Sequence, residues 1–213
     1  MNPTLKAAIW GGSVLWMAFS LQAAQSPKAA TYITDEQVKA VNATPGVDRQ
    51  LVSVDIGKLN EAVGIIHRGP TAAPAGRGAA AAAAIPPAQQ CGEQSTTPPS
   101  GAVSGIEHDH QTETYIIVSG GGTMVTGGHI VNGRKSAADS DVTKVLNGPS
   151  CSGIIAGPDV VKRVVKPGDV IIIPATVPHG WTDIADHVDY LSVRPDPDRV
   201  LPAGYVNPAI KGR

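Results

Sequence analysis

The chain has 213 residues, of which 42% are hydrophobic and 16% charged, a composition typical of a folded globular protein and unlike that of a disordered one. The formal net charge of −1, with no basic stripe along the chain, argues against a nucleic-acid-binding protein. Glycine and proline are abundant (24 and 18) and helical patterns are scarce, which favours an all-β fold with many turns.

The first 24 residues have the order of parts of a secretory signal peptide. Lys6 provides a positive start, residues 7–21 are apolar and uncharged, and Ala23 and Ala24 supply small residues for cleavage. A retained membrane anchor is the alternative, but the apolar run is about fifteen residues, whereas a spanning helix needs about 20. We therefore predict a signal peptide over residues 1–24 and a periplasmic or secreted protein that is not membrane-bound after cleavage.

Residues 31–68 predict a short helix followed by a β-hairpin that joins the main domain. Thr34 and Gln37 have the spacing of a capping box, and the sequence Thr-Pro-Gly at 44–46 ends the helix soon afterwards. Two short β-branched segments follow at 50–56 and 63–67, with a turn sequence between them. This segment is also a candidate for strand exchange in a homodimer.

Residues 69–104 form an alanine- and proline-rich insertion or linker. An alanine run at 79–84 is enclosed by glycines before it and by paired prolines after it, so any helix here is short. From residue 105 to 213 the pattern changes to short strands separated by Gly, Pro and Asp turns. Five such strands are predicted, at 114–118, 123–126, 160–165, 170–173 and 188–193. They indicate one sandwich or closed barrel without internal repeats.

Histidines and one glutamate suggest a metal site in this domain. If His108 and His110 lie on a strand, both imidazoles point to the same face. Glu113 has the wrong parity for a straight strand and needs a turn or bulge to join them. His179 follows a Pro-rich turn. Three imidazoles with an optional carboxylate suit one divalent transition metal, whether Fe, Mn, Ni, Cu, Co or Zn.

These residues and the surrounding glycines resemble the two motifs of the cupin superfamily. The first motif reads His108-x-His110-x2-Glu113-x6-Gly120, and the second reads Gly168-x5-Pro174-x4-His179. The chain departs from the family pattern at four points, and a long stretch over residues 121–167 separates the motifs and predicts a loop over the barrel mouth. The departures are Ala102 for the opening glycine, a His110–Glu113 gap one residue short, Thr176 for a glycine and Asp183 for an asparagine.

The resemblance implies an antiparallel jelly-roll β-barrel with the metal inside. It also implies an enzyme of dioxygenase, lyase, isomerase or decarboxylase type that acts on a small organic molecule. The alternative is a non-catalytic, exported sugar- or small-molecule-binding cupin. The catalytic candidates are Glu113 and Tyr115, and the substrate-pocket candidates are Tyr115, Ile117, Trp181, His67 and Arg194.

The two cysteines, Cys91 and Cys151, are predicted to form a disulfide. An even cysteine count in an exported protein favours a disulfide over two unrelated thiols, and the absence of a CxxC pair weakens a metal-ligand interpretation. Closing a loop of about 60 residues contributes roughly 4 kcal/mol by chain-entropy reasoning.

Overall fold

The computed structural model describes residues 27–71, 85–99 and 103–211. The predicted signal peptide and the alanine run at 79–84 lie outside the described residues. Within them the chain forms one α-helix, α1 (Asp35–Asn42), and twelve β-strands. The strands are β1 Asp48–Asp55, β2 Asn60–Arg68, β3 Gln90–Cys91, β4 Ser104–His108, β5 Glu113–Gly120, β6 Gly122–Thr126, β7 His129–Lys135, β8 Ser150–Ala156, β9 Val161–Val165, β10 Val170–Ile173, β11 His179–Thr182 and β12 Val188–Asp196.

The predicted helix and hairpin are both present at the N-terminal side. The Thr34 side chain accepts a hydrogen bond from the backbone N–H of Gln37, and the Gln37 side chain accepts one from the backbone N–H of Thr34. Strands β1 and β2 pair in antiparallel register. Strand β2 also pairs along its length with β12, so the hairpin forms part of the main sheet.

Two antiparallel sheets face each other across the core. One has the strand order β1-β2-β12-β5-β10, and the other has the order β3-β7-β8-β4-β11-β6-β9. Apolar side chains from both sheets meet in a buried cluster that includes Ile66, Tyr115, Met124, Trp181 and Tyr190. The alternation of buried residues along β12, from Val188 to Asp196, shows that every second side chain points inward. The prediction of an all-β, antiparallel fold is confirmed.

The stretch between the motifs contains the two strands predicted there and two more where the sequence predicted a loop. Residues 121–167 form β6, β7, β8 and β9, and β7 and β8 extend the second sheet beyond β4. Cys91 in β3 and Cys151 in β8 form a disulfide that crosses β7, because β3 pairs with β7 and β7 pairs with β8. Gly133 lies beneath this crossing, where a Cβ atom would collide with the Cys151 sulfur. The predicted disulfide is thus confirmed.

No helix within residues 27–71, 85–99 and 103–211 is long and apolar enough to span a membrane.

Candidate metal centre

The glycine positions of the two motifs correspond to turns that need a left-handed backbone. Gly120 and Gly168 have φ of 65° and 93°, and a Cβ at Gly120 would overlap the His187 carbonyl oxygen. Thr176, which replaces the second motif's middle glycine, also has a positive φ, at 65°. Its N–H donates to the His108 carbonyl at 2.8 Å. Thr176 thus adopts the left-handed turn conformation that the motif's glycine would adopt, and its hydrogen bond holds this turn next to His108.

Three titratable side chains from three strands converge inside the barrel. His108 ends β4, Glu113 begins β5, and His179 begins β11, which pairs with β4. All three are at most 3% exposed. The Nε2 atoms of His108 and His179 each lie 3.0 Å from Oε2 of Glu113. This His108–Glu113–His179 set is the group of potential metal ligands in the described part of the chain.

Hydrogen bonds on the far side of each imidazole determine which ring nitrogen carries the proton. His179 Nδ1 lies 3.0 Å from the Val177 carbonyl oxygen, which can only accept, so Nδ1 is protonated. His108 Nδ1 lies 2.8 Å from Ser150 Oγ, whose own proton goes to the Gly148 carbonyl. Ser150 therefore accepts from His108 Nδ1. In the neutral form of each ring, Nε2 carries a lone pair.

Glu113 is held ionised and immobile. Its Oε1 accepts hydrogen bonds from Arg194 Nε and Ser192 Oγ, and its Oε2 accepts one from the Tyr115 hydroxyl, all at 2.8 Å. Burial alone would raise the pKa of Glu113, but the Arg194 charge, followed by the close contacts with the His108 and His179 imidazoles, holds it well below the usual value. Oε1 already accepts hydrogen bonds from Arg194 and Ser192, so Oε2 is the carboxylate oxygen available to coordinate a metal.

The chemistry of the three atoms fits a divalent cation. Burial lowers the pKa of His108 and favours its neutral ring, despite the opposing effect of Glu113. Two imidazole lone pairs then face one carboxylate oxygen with no proton between them. His179 Nε2, although buried and 3.0 Å from that oxygen, makes no hydrogen bond in the described structure. Ligand atoms about 2.1 Å from a metal and at right angles to each other would be about 3 Å apart, close to the observed spacing.

His110 does not join this cluster, and the predicted three-histidine set is corrected to two histidines and one glutamate. The side chain of His110 is 51% exposed, and its Nδ1 lies 2.9 Å from Asp198 Oδ2. Strand β4 ends at His108 and the chain bends over the next two residues, so strand alternation does not carry His110 inward. The buried Gln111 takes the inward position instead and donates to Asp196.

Three of the predicted pocket residues also lie elsewhere. His67 is exposed and pairs with Asp189 on the outer face of the barrel, with Nδ1 2.6 Å from Oδ1. Ile117 is buried in the apolar core. Arg194 is 0% exposed, and its Nη2 lies 2.6 Å from Asp48 Oδ2 in addition to the contact with Glu113. Since Arg194 is occupied by two carboxylates, it supports the ligand Glu113 and is not free to bind a substrate carboxylate.

Tyr115 and Trp181 lie close to the cluster. The ring of Tyr115 packs edge-on against His179, with centroids 5.8 Å apart. Burial, followed by the Glu113 charge, raises the pKa of Tyr115 well above its usual value, so the hydroxyl keeps its proton. Trp181 is buried and donates from Nε1 to the Tyr190 hydroxyl at 3.2 Å.

A cavity of about 480 Å³ opens beside the cluster, and His179 forms part of its wall. Trp181, Ile184 and Ile106 form apolar walls, and Arg68 and Ser152 provide polar groups. This size is within the ~300–1,000 Å³ range of small-molecule sites. Of the three cluster residues, His179 is the one that lines this cavity, and its Nε2 atom is buried behind the cavity wall.

Sequence reasoning missed the residues that support the cluster from behind. Ser150, Ser192 and Asp48 are common residue types in strands, and only the pairing of β1, β8 and β12 with their neighbours brings them to the cluster. The inward position of Ser192 could have been predicted, because Ser192 and Arg194 are two residues apart on β12 and so point to the same face of the strand. The position of Arg68 could also have been predicted, because Arg68 lies on the same face of β2 as the buried residues Ala62 and Ile66, and that face points inward. Arg68 lines the cavity beside the cluster.

The two facing antiparallel sheets, with the motif residues meeting between them, are the features expected of a jelly-roll barrel. The chain therefore has the two-sheet, antiparallel architecture that the cupin-like motifs predicted. No protein-family model matches the sequence, and no curated protein matches it.

Several solved structures are distantly similar. A structure of the DMSP lyases RdDddP and RnDddQII is 14% identical over 63% of this chain, with a TM-score of 0.30, and the match spans only 38% of that protein. An uncharacterized conserved protein with a double-stranded beta-helix domain from Klebsiella pneumoniae subsp. pneumoniae MGH 78578 is 12% identical over 80% of this chain and 93% of its own, with a TM-score of 0.37. The polyketide cyclase RemF from Streptomyces resistomycificus is 15% identical over 72% of this chain and 69% of its own, with a TM-score of 0.33. Such distant similarities transfer neither a substrate nor an activity to this chain.

Proposed function

We propose that this protein is a metal-dependent cupin enzyme that acts on a small organic molecule. One divalent transition metal is held by Nε2 of His108, Nε2 of His179 and Oε2 of Glu113. The observation that carries this proposal is the convergence of these three atoms, with both Nδ1–H groups already committed to other acceptors. Metal-binding histidines commonly donate a hydrogen bond from the ring nitrogen that does not bind the metal, and this bond fixes the tautomer of the ring.

Three protein ligands leave coordination positions open, as catalytic sites require. A bound metal of this kind supplies a Lewis acid that polarises a substrate oxygen. The protein contributes the rest: His108 and His179 are oriented by Ser150 and Val177, and Arg194 fixes Glu113.

Glu113 acts as a ligand and not as a base, because both of its oxygens accept strong hydrogen bonds and its pKa is held low. Tyr115 is the one catalytic candidate from the sequence that retains a transferable proton beside the cluster. Its hydroxyl donates to Glu113 Oε2 in the absence of substrate. Replacing it with phenylalanine tests the role: if Tyr115 is an acid, kcat falls while the metal content of the variant stays that of the wild type.

Metal analysis of protein purified without chelators tests the ligand set. We expect about one metal per chain in the wild type, and its loss in the His108→Ala and His179→Ala variants. His110→Ala is the matched control, because it removes a neighbouring surface imidazole, and it should retain the metal. Loss of metal in His110→Ala, or full retention in His179→Ala, would show that the ligand set is wrong. Metal identity comes from the same measurement.

The class of reaction is tested after the metal is known. Small carboxylates and aromatic compounds are screened with the metal-loaded protein, with oxygen uptake measured first if the metal is iron. Turnover that is lost in His179→Ala supports an enzyme of dioxygenase, lyase, isomerase or decarboxylase type. Saturable binding of a compound without turnover favours the alternative, a non-catalytic binding cupin.

We further propose that the protein is exported, with residues 1–24 removed as a signal peptide and the hairpin of residues 31–68 joining residues 105–213 in the barrel. The Cys91–Cys151 disulfide is consistent with an oxidising compartment, periplasmic or extracellular. Mass spectrometry of the mature protein from its native host tests cleavage after the small residues at 23–24. Retention of the full N-terminus in a membrane fraction would favour an anchor. Light scattering of the same sample tests the homodimer.

A further inference from the structure

The cavity beside the metal cluster contains a guanidinium group with no acidic partner. Arg68, at the end of β2, lines this cavity together with His179 and Trp181. Its Nε donates to the Tyr190 hydroxyl at 2.9 Å. Its two terminal nitrogens have no hydrogen-bond or ion-pair partner among the residues that the structure describes. Asp48, the acidic group that acts on Arg68 from a distance, is already paired with Arg194.

The orientation of Arg68 is determined by a rigid aromatic support. The Tyr190 hydroxyl that accepts from Arg68 also accepts from Trp181 Nε1 at 3.2 Å. The ring of Tyr190 in turn packs on Tyr115, with centroids 4.4 Å apart. Tyr190 is 0% exposed, so this acceptor cannot move away. The remaining donors of the guanidinium fork are therefore held in place before any ligand binds.

A half-buried arginine is normally paired with a carboxylate or phosphate, because transferring an uncompensated charge out of water is costly. The planar fork suits bidentate contact with a carboxylate. Glu113 cannot neutralise this part of the cavity, since its charge is already matched by Arg194. The guanidinium of Arg68 thus attracts negative charge into the cavity, as would a metal held by the cluster to which His179 belongs.

From this arrangement, and resting on the proposed metal-dependent function, we propose that Arg68 binds the carboxylate of the substrate. The ligand class is a small monocarboxylate with an apolar body. The carboxylate pairs with the terminal nitrogens of Arg68, the apolar body packs on Trp181 and Ile184, and the reacting end points to the His179 side of the cluster. Arg68 takes the role that the sequence suggested for Arg194.

Isothermal titration calorimetry with benzoate and with benzamide, its neutral counterpart of the same shape, tests this proposal. The wild type should bind benzoate at least tenfold more tightly than benzamide. Arg68→Met should weaken benzoate binding by about 10–100-fold, as expected for a lost charged hydrogen-bond pair, with benzamide binding unchanged. Arg68→Lys retains the charge without the fork and should give an intermediate affinity. Arg163→Met, at an exposed position on β9, is the control and should bind as the wild type does.

Each titration is repeated after the metal has been removed with a chelator, and circular dichroism checks that every variant is folded. A preference for benzoate that depends on Arg68 and persists in the metal-free protein supports the carboxylate site, even if metal analysis were to reject the metal centre. Equal affinity of the wild type for benzoate and benzamide, no binding of either, or unchanged benzoate binding by Arg68→Met overturns the proposal. Unchanged metal content in Arg68→Met separates this result from a failure of the metal site.

Discussion

Replacing Arg194 with methionine should be among the most destabilising single changes in this protein. The guanidinium donates to Glu113 and Asp48, and also to the side-chain oxygen of Gln50 and the carbonyl oxygen of Leu146. Methionine fills a similar volume but leaves one buried carboxylate, Glu113, and one partly buried carboxylate, Asp48, without a counter-charge. Breaking one partner of a buried ion pair costs about 3–5 kcal/mol, a large part of the ~5–15 kcal/mol that stabilises a typical domain.

Guanidinium unfolding of metal-free protein, followed by circular dichroism, measures this loss without the contribution of a bound metal. Combining Arg194→Met with Glu113→Gln in a double-mutant cycle separates the free energy of the ion pair from the free energy of side-chain packing. The double variant Glu113→Gln/Arg194→Met should lose less than the sum of the two single losses, by about 1–3 kcal/mol, because each single change strands the charge of the other. Arg163→Met, at the surface, should cost less than about 0.5 kcal/mol.

A loss below about 1 kcal/mol for Arg194→Met would refute the reasoning. It would mean that Glu113 and Asp48 are hydrated or neutral without Arg194. Strictly additive losses in the double variant would lead to the same conclusion, because they would show that Arg194 and Glu113 do not act on each other.

Three further predictions concern the rest of the barrel. Reducing the Cys91–Cys151 disulfide, which encloses a sequence separation of 60, should lower the free energy of unfolding by roughly 4 kcal/mol, measured by thermal denaturation with and without a reductant. Thr176→Gly should raise stability by up to about 1 kcal/mol, since it relieves a β-branched residue at φ 65° whose side chain is exposed. Asp189→Asn should destabilise the protein near neutral pH but not in acid. Burial alone would raise the pKa of Asp189, but hydrogen bonds from Ser119 and His67 lower it overall. The stability it contributes is present above the unfolded pKa of about 3.9 and is lost as the pH falls through the lower folded value.

Each of these three predictions has a result that would contradict it, and the second also has a control variant. An unchanged melting temperature after complete reduction, verified by thiol titration, would show that the disulfide does not limit unfolding. Thr123→Gly, in the regular strand β6, is the control for Thr176→Gly and should destabilise. If Thr176→Gly and Thr123→Gly both lower stability, backbone strain at Thr176 is not a significant cost. A constant difference in melting temperature between wild type and Asp189→Asn from pH 7 down to pH 2.5 would contradict the linkage.

Local features of the fold were predictable because they depend on neighbouring residues. The capping box at Thr34 and Gln37 involves residues three apart, and the observed helix begins at Asp35 directly after the cap. Five strands of the barrel, β5, β6, β9, β10 and β12, were predicted within a few residues, since their β-branched runs end at Gly and Pro turns; the short strands β3, β4 and β11 were not among the predicted strands. Strands β7 and β8 were missed, because their sequences contain polar residues and a glycine at the positions where the disulfide crosses.

The ligand cluster was predicted in part. His108, Glu113 and His179 were all predicted from their spacing, and they converge as expected. His110 was wrong as a ligand, because a two-residue alternation is valid only while the strand continues, and β4 stops at His108. The short gap before Glu113 was the one indication in the sequence that the chain leaves the regular strand here.

The sequence by itself determined the all-β class, the cupin motifs, the disulfide pair and three of the residues that form the buried cluster. These depend on alternation, on turn-forming glycines and on short spacings that neighbouring residues enforce. Only the tertiary structure decided the roles of the two arginines. Arg194 and Arg68 both lie at inward positions of neighbouring strands, β12 and β2, and their residue type and parity are the same. What separates them is the set of charges that other strands bring into contact: Glu113 and Asp48 enclose Arg194, whereas Arg68 faces an open cavity.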